Sequence, residues 1–67
     1  MKPIEEIITS LEKGKRILFE TPQMKGKYIQ GAKVIDIDQE KKVIFVKTQG
    51  KEMTLGDGTM VSIDIAV

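Results

Sequence analysis

The residues of this sequence with the clearest potential for chemistry are basic side chains at the two ends of one apolar run. Lys-Gly-Lys-Arg precedes the run ILFE, and Lys-Gly-Lys-Tyr follows it after a Thr-Pro segment. If the two ends fold together, their cations form a rim that can contact phosphates, and the tyrosine can stack on a base. The pattern therefore predicts a binding site for RNA, DNA or a nucleotide. Its members are Lys13, Lys15, Arg16, Lys25, Lys27 and Tyr28. The alternative is that these lysines only solvate two ordinary turns.

Three Gly-Lys pairs invite comparison with phosphate-binding loops. A P-loop continues from Gly-Lys into Ser or Thr, because that hydroxyl binds Mg²⁺ while backbone amides hold the phosphates. The three pairs of this chain continue into Arg16, Tyr28 and Glu52, which excludes a P-loop. The glycines are instead interpreted as turn formers. Gly14 is predicted to cap the end of a helix, Gly26 to end a loop, and Gly50 to form a hairpin turn.

The sequence offers little for catalysis or metal binding. It contains neither cysteine nor histidine, which removes the usual zinc ligands and the usual activators of a nucleophilic hydroxyl. Asp36 and Asp38 lie on one side of a predicted strand, with Glu40 just beyond, and such carboxylates can hold a divalent cation. Their spacing matches no complete calcium loop, so a solvated strand end is the preferred interpretation. We therefore predict a binding protein and not an enzyme, with no metal site and no cofactor.

Length and charge narrow the class of protein further. A chain of 67 residues buries only about 60% of its unfolded surface, which favours a single small domain over residues 1–67 that is stabilised by forming a homo-oligomer. Residues 1–33 carry seven Lys/Arg and four Glu, a balance of +3, whereas residues 34–67 carry four Lys and six Asp/Glu, a balance of −2. Such an asymmetry can orient a protein toward an anionic partner, but at this size a normally mixed surface is the preferred interpretation. No apolar run approaches the roughly 20 residues that span a bilayer, so we expect a cytoplasmic protein without a membrane partner.

The N-terminal segment has the period of an amphipathic helix over about residues 3–13. Its apolar stripe consists of Ile4, Ile7, Ile8 and Leu11. Spacings of three and four residues place these side chains on one helix face. Pro3 suits the first helical turn, and Gly14 suits the left-handed position that follows the last turn.

From residue 15 onward the period changes to two, and five short strands are predicted within residues 15–67. Their ranges are 15–21, 27–38, 43–48, 52–55 and 59–67. Gly31, inside the longest segment, indicates a bulge or bend. One helix and five strands, the second of them bent, favour a mainly β fold of the small five-stranded SH3-like or Sm-like barrel type. An OB-fold is the alternative. Phe19 and Phe45 are both expected in the core.

The last predicted strand suggests a second kind of surface. The segment MVSIDIAV contains one charge and neither Lys nor Pro, the residues that often protect a strand edge. Such a strand is expected to pair, either within the barrel or with another chain. The predicted interface residues are Met60, Val61, Ile63, Ile65 and Val67.

The segment IQGAKVIDIDQEKKVIFV resembles the first sequence segment of the Sm-like family, including its bacterial Hfq branch, with Gly31 at the bend. LGDGTMVSI is similar to the apolar spacing of that family's second segment. The resemblance covers residues 4–65 and implies an N-terminal helix, five strands and rings assembled through edge strands. The family has a basic residue and a glycine at the start of its second segment, where this chain has Gly56 and Asp57, so the family's uridine contacts are not implied.

A shorter segment, IEEIITSLEKGKRI at residues 4–17, is similar to the opening of phage-encoded Thoeris anti-defence proteins. Those proteins sequester cyclic nucleotide signals, so this resemblance implies a nucleotide ligand. The tryptophans typical of that group are absent here.

Together these patterns predict a small, non-catalytic regulatory module that contacts nucleic acid or a nucleotide through the basic rim. The alternative is a protein-interaction inhibitor or adaptor, of phage or bacterial origin, that docks through its apolar C-terminal strand.

Overall fold

Six β-strands form one antiparallel sheet, and a short helix connects the first two. The computed structural model describes residues 1–24 and 26–64. The strands are β1 (Lys2–Pro3), β2 (Arg16–Glu20), β3 (Ile29–Asp38), β4 (Val43–Thr48), β5 (Lys51–Leu55) and β6 (Met60–Ile63). Helix α1 (Ile4–Ile7) continues into a 3₁₀ turn at Ile8–Ser10, and a second 3₁₀ turn occupies Pro22–Met24. Over these ranges no helix has the length and apolar character needed to cross a membrane.

The sheet is open, with the strand order β1-β6-β2-β3-β4-β5. Its edges are β1 and β5, which do not pair with each other in the described part of the chain. The prediction of a mainly β fold with one N-terminal helix is confirmed, whereas the prediction of a closed five-stranded barrel is wrong. The additional strand is β1, which pairs with Met60 and Val61. Two residues are too few to show a period of two, so the sequence pattern could not reveal it.

The N-terminal helix is shorter than its periodicity predicts. The helical conformation ends at Ser10, and Leu11 is extended, with φ −85° and ψ 148°. Thr9 and Ser10 are poor residues for a helix interior because their hydroxyls compete for backbone groups. Gly14 therefore does not cap the helix. Its φ of +91° belongs to the turn before β2, where its N–H donates to the Val34 carbonyl at 2.8 Å.

Two bulges bend β3. Gly31, with φ +81°, is the extra residue opposite the Ile17–Leu18 step of β2, which confirms the predicted bulge. Ile35 is a second extra residue, opposite the Phe45–Val46 step of β4. Each bulge increases the local twist and bend of a strand, so β3 curves the sheet around the core. The turn between β4 and β5, at Gln49-Gly50, has positive φ at both residues, as expected for a tight hairpin.

The core lies between the concave face of the sheet and the N-terminal helical segment. Its buried side chains are Ile4, Ile8, Leu11, Ile17, Phe19, Ala32, Val34, Ile44, Val46, Leu55 and Val61. Phe19 is the largest fully buried side chain. Phe45 is only half-buried and does not belong to the apolar set that packs against the core. The expectation that both phenylalanines lie in the core is thus right for Phe19 and wrong for Phe45.

Candidate nucleic-acid interface

The residues of the predicted rim form two groups at opposite ends of β2. Lys13, Lys15 and Arg16 lie where β2 begins. Lys27 and Tyr28 precede β3, whose first residue, Ile29, pairs with Phe19 near the end of β2. The four steps from Arg16 to Glu20 correspond to about 13 Å of strand. The structure therefore does not bring the two groups together, and Lys25 lies outside the described residues.

The first group instead meets two lysines that the rim hypothesis did not include. Arg16 in β2 pairs with Lys33 in β3, and Lys33 pairs in turn with Lys47 in β4. All three side chains are exposed. Directly opposed residues of an antiparallel sheet point to the same face, so three cations stand side by side across three neighbouring strands. We call Arg16, Lys33 and Lys47 the basic row.

The basic row lies on the convex face, opposite the core. Each of its residues is flanked along its own strand by a fully buried apolar residue: Ile17 follows Arg16, Ala32 precedes Lys33, and Val46 precedes Lys47. Because successive side chains in a strand point to opposite faces, burial of these neighbours directs the three cations to solvent. The same alternation that builds the core thus exposes the row.

Charges along the row are unfavourable for the folded sheet. Like charges on directly opposed residues destabilise strand pairing. Among the described residues, the positions that continue the row beyond its two ends are acidic. Glu52 in β5 pairs with Lys47, and the Asp64 N–H donates to the Arg16 carbonyl at 3.0 Å on the other side. Lys33, in the centre, has a cation on each side.

Two further lysines lie close to the row. Lys13 Nζ is 3.5 Å from Asp36 Oδ1, and both side chains are well exposed, so this ion pair contributes little to stability. The Lys15 carbonyl accepts the Val34 N–H at 2.8 Å, so the backbone of Lys15 lies opposite Val34 of β3. Because opposed residues point to the same face of a sheet and Val34 is buried in the core, Lys15 does not extend the row on the convex face.

Apolar side chains lie on the convex face together with the basic row. Five half-buried apolar side chains are absent from the set that packs against the core: Leu18, Ile35, Val43, Phe45 and Met60. Phe45 is the only aromatic residue among these five. It precedes Lys47 by two residues in β4, so both side chains project from the same face of the sheet.

The acidic residues have structural roles in this fold. Asp36 Oδ1 accepts the N–H of Ile37 at 2.9 Å, and Asp38 Oδ1 accepts the N–H of Lys41 at 3.0 Å. The second contact stabilises the turn between β3 and β4, as Asp side chains commonly do. Within residues 1–24 and 26–64, no three His, Cys, Asp or Glu side chains are grouped so that they could hold a metal ion.

The predicted C-terminal interface is partly internal to the sheet. β6 pairs with β2 on one side and with β1 on the other, so it is not an edge strand along Met60 and Val61. Val61 is fully buried in the core, while Met60 and Ile63 are half-buried. Ile65 and Val67 lie outside the described residues. The sheet edges in the described part are β1 and β5.

A shallow groove of about 320 Å³ lies between α1 and β6. Its lining includes Ile7 from the helix and Val61 and Ile63 from the strand, with Lys2 and Glu6 at its polar side. β1 pairs only with Met60 and Val61. Successive residues of an antiparallel strand direct their N–H groups to opposite sides of the strand. The Asp64 N–H donates to the Arg16 carbonyl in β2, so the N–H of the preceding residue, Ile63, points away from β2 and toward this groove.

Comparison with protein-family models, curated proteins and solved structures found no match to this chain. The functional interpretation below therefore depends on the chain's own residues.

Proposed function

We propose that this protein is a small, non-catalytic nucleic-acid-binding module whose basic row contacts the phosphate backbone. The observation that carries the proposal is the uninterrupted cross-strand alignment of Arg16, Lys33 and Lys47 on an exposed sheet face. In a sheet selected for stability alone, oppositely charged or polar residues would be favoured at such positions. A bound polyanion removes the repulsion and turns an unfavourable arrangement into a favourable one.

The dimensions of the row suit a phosphate chain. Directly opposed residues lie about 4.5 to 5.5 Å apart at their Cα atoms, so three strands give a row about 10 Å long. Long, flexible Lys and Arg side chains can adjust their charged groups over several ångströms around this spacing. Phosphate contacts of this kind supply affinity and orientation without reading sequence. We therefore expect weak dependence on base sequence and strong dependence on salt.

Removing two charges of the row tests the proposal. In the variant Lys33→Gln/Lys47→Gln, we expect affinity for a single-stranded oligonucleotide to fall roughly tenfold or more at about 50 mM salt, because two phosphate contacts are lost. The slope of log K against log salt should become less negative by about 1.4, since each contact on a single strand contributes about 0.7. Fluorescence anisotropy over a salt series measures both quantities.

The matched control is Lys41→Gln/Lys42→Gln, which removes the same charge from the exposed turn between β3 and β4. We expect its salt slope to equal that of the wild-type protein. A third variant, Lys15→Gln/Lys27→Gln, removes one cation from each end of the rim that the sequence predicts. Equal losses in all three variants would show that only net charge matters and would refute the basic row as a site. Absence of oligonucleotide binding by the wild-type protein would refute the proposed function itself.

We further propose that the module is a cytoplasmic homo-oligomer, as its resemblance to the ring-forming Sm-like family implies. The support for association is the short chain and the open sheet, in which β5 has a neighbour on one side only within the described residues. Pairing of a second copy at an edge would continue the sheet and cover exposed backbone groups. Light scattering on the samples used for anisotropy determines the mass, and a strict monomer would contradict this part of the proposal.

A second candidate function is docking of an extended strand from a partner protein in the groove between α1 and β6. The observation that favours it is the orientation of the Ile63 N–H toward the groove, beyond the end of β1. Strand addition would supply a carbonyl to this N–H and apolar side chains to Ile7 and Ile63. We expect the Ile63 amide to exchange rapidly with solvent in the isolated protein. Strong protection of this amide in a monomer, measured by hydrogen-exchange NMR, would exclude the groove as a strand acceptor.

A further inference from the structure

Phe45 occupies a position that core packing does not explain. It is half-buried in β4, on the convex face, and does not belong to the apolar set that packs against the core. Burying an aromatic ring stabilises a fold, and one left on an open face loses part of that contribution. Packing against the core therefore does not account for this ring.

Phe45 lies between exposed polar residues of the two neighbouring strands and keeps part of its own surface in contact with solvent. Its directly opposed residues are Asp36 in β3 and Thr54 in β5, and both are exposed. Both are shorter than the aromatic ring that they flank. The Asp36 carboxylate lies 3.5 Å from Lys13 Nζ, so a lysine partly offsets the one negative charge directly opposite the ring.

Phe45 also lies beside the basic row. It is two residues from Lys47 on the same face, which corresponds to about 6.6 Å along the strand. A nucleic-acid strand whose phosphates follow the row thus has bases within reach of the ring. A duplex keeps its bases stacked inside the helix, whereas a single strand can turn a base outward onto an aromatic surface.

We infer that the ligand of the basic row is a single-stranded nucleic acid with an unpaired base stacked on Phe45. The inference rests on the proposed function, because the row must hold the phosphates for a base to reach the ring. Stacking on an aromatic side chain accepts any base, so this site favours single strands over duplexes without selecting a sequence. Charge and apolar surface then act together: the row supplies affinity for the backbone, and Phe45 supplies preference for exposed bases.

The test compares three DNA ligands of about 12 nucleotides, within the range of known single-strand site sizes. These are an oligothymidine single strand, an abasic single strand with the same number of phosphates, and a duplex. We expect the wild-type protein to bind oligothymidine about 5- to 100-fold more tightly than the abasic strand. In Phe45→Leu this preference should fall to about twofold or less, while affinity for the abasic strand stays unchanged. Phe45→Tyr, which keeps the ring, should retain the preference.

Tyr28→Leu is the matched control, because Tyr28 is 59% exposed but lies at the other end of the β2–β3 pair. Its preference for oligothymidine should equal that of the wild-type protein. Thermal melting followed by circular dichroism verifies that each variant is folded. If Phe45→Leu keeps the preference, if the duplex binds as tightly as the single strand, or if Tyr28→Leu loses the preference instead, the inference is overturned while the proposed function stands. If the wild-type protein binds none of the three ligands, the proposed function fails first.

Discussion

Replacing Lys33 with glutamate is expected to abolish nucleic-acid binding and, at the same time, to stabilise the folded protein. Lys33 is the centre of the basic row, between Arg16 and Lys47. A carboxylate at position 33 would lie between the two remaining cations. It would attract the Arg16 and Lys47 side chains, which otherwise contact phosphates. We expect affinity for a single-stranded oligonucleotide to fall about 100-fold or more at about 50 mM salt, because up to three phosphate contacts are lost together.

The same change replaces two repulsive cross-strand pairs by two attractive ones. Each exchange contributes on the order of 0.5 kcal/mol on a sheet surface, so the melting temperature should rise by several degrees for a domain of this size. Residues kept for binding often reduce stability, and their replacement raises it. Thermal unfolding at low salt and a salt titration of the melting temperature measure this effect, which should shrink as salt screens exposed charges.

Lys41→Glu is the control for Lys33→Glu, since it makes the same change in net charge, from +1 to −1, at an exposed turn. We expect it to weaken binding by at most a few fold and to leave the melting temperature nearly unchanged. A Lys33→Glu protein that is less stable than the wild type would show that the cations of the row do not repel one another. One that still binds oligonucleotides at wild-type affinity would remove the basic row from the interface.

Replacing Phe19 with alanine is expected to remove a large share of the protein's free energy of unfolding at 25 °C. Phe19 is fully buried and is the largest such side chain. Deleting a buried phenylalanine ring costs about 3 to 5 kcal/mol through lost burial and the cavity that remains. A domain of this length has a total stability of only about 3 to 10 kcal/mol at typical values per residue. Urea titration with circular dichroism measures the loss, and Phe19→Leu, with a smaller cavity, keeps the measurement possible if the alanine variant does not fold.

Phe45→Ala removes the same atoms from the convex face and serves as the comparison. Because Phe45 is half-buried and does not pack against the core, we expect a cost of about 1 kcal/mol. A cost near that of Phe19→Ala would mean that Phe45 has a packing role, and its role in stacking would lose its main support.

The local elements of the fold that depend on short-range patterns were predictable. The bounds of β4 agree with the apolar run from residue 43 to residue 48, and the bulge at Gly31 agrees with the glycine inside an otherwise regular strand. The helix was predicted too long because an apolar period of 3.6 continues through Leu11, although this residue reaches the core from an extended conformation. Barrel closure depends on whether distant edges meet, which no local pattern encodes.

The candidate site was less predictable than the fold. Arg16 was identified from its lysine-rich surroundings, whereas Lys33 and Lys47 each appeared as an isolated lysine in an apolar strand. Their alignment depends on the strand register, which the two bulges at Gly31 and Ile35 set. A glycine made the first bulge visible in the sequence. The second occurs at a β-branched residue with no such signal, so the alignment of Lys33 with Lys47 required the structure.

The basic row couples ligand binding to folding, because its residues are far apart in the sequence. Its three residues belong to three different strands, and the chain between them must fold before they meet. The unfolded chain therefore lacks the aligned row, and a ligand that needs this alignment binds the folded state in preference to the unfolded one. By mass action, a ligand at about 100 times its dissociation constant adds about 2.7 kcal/mol to the free energy of unfolding. For so small a domain this is a substantial share of the total, so the nucleic acid would act as a folding cofactor as well as a partner.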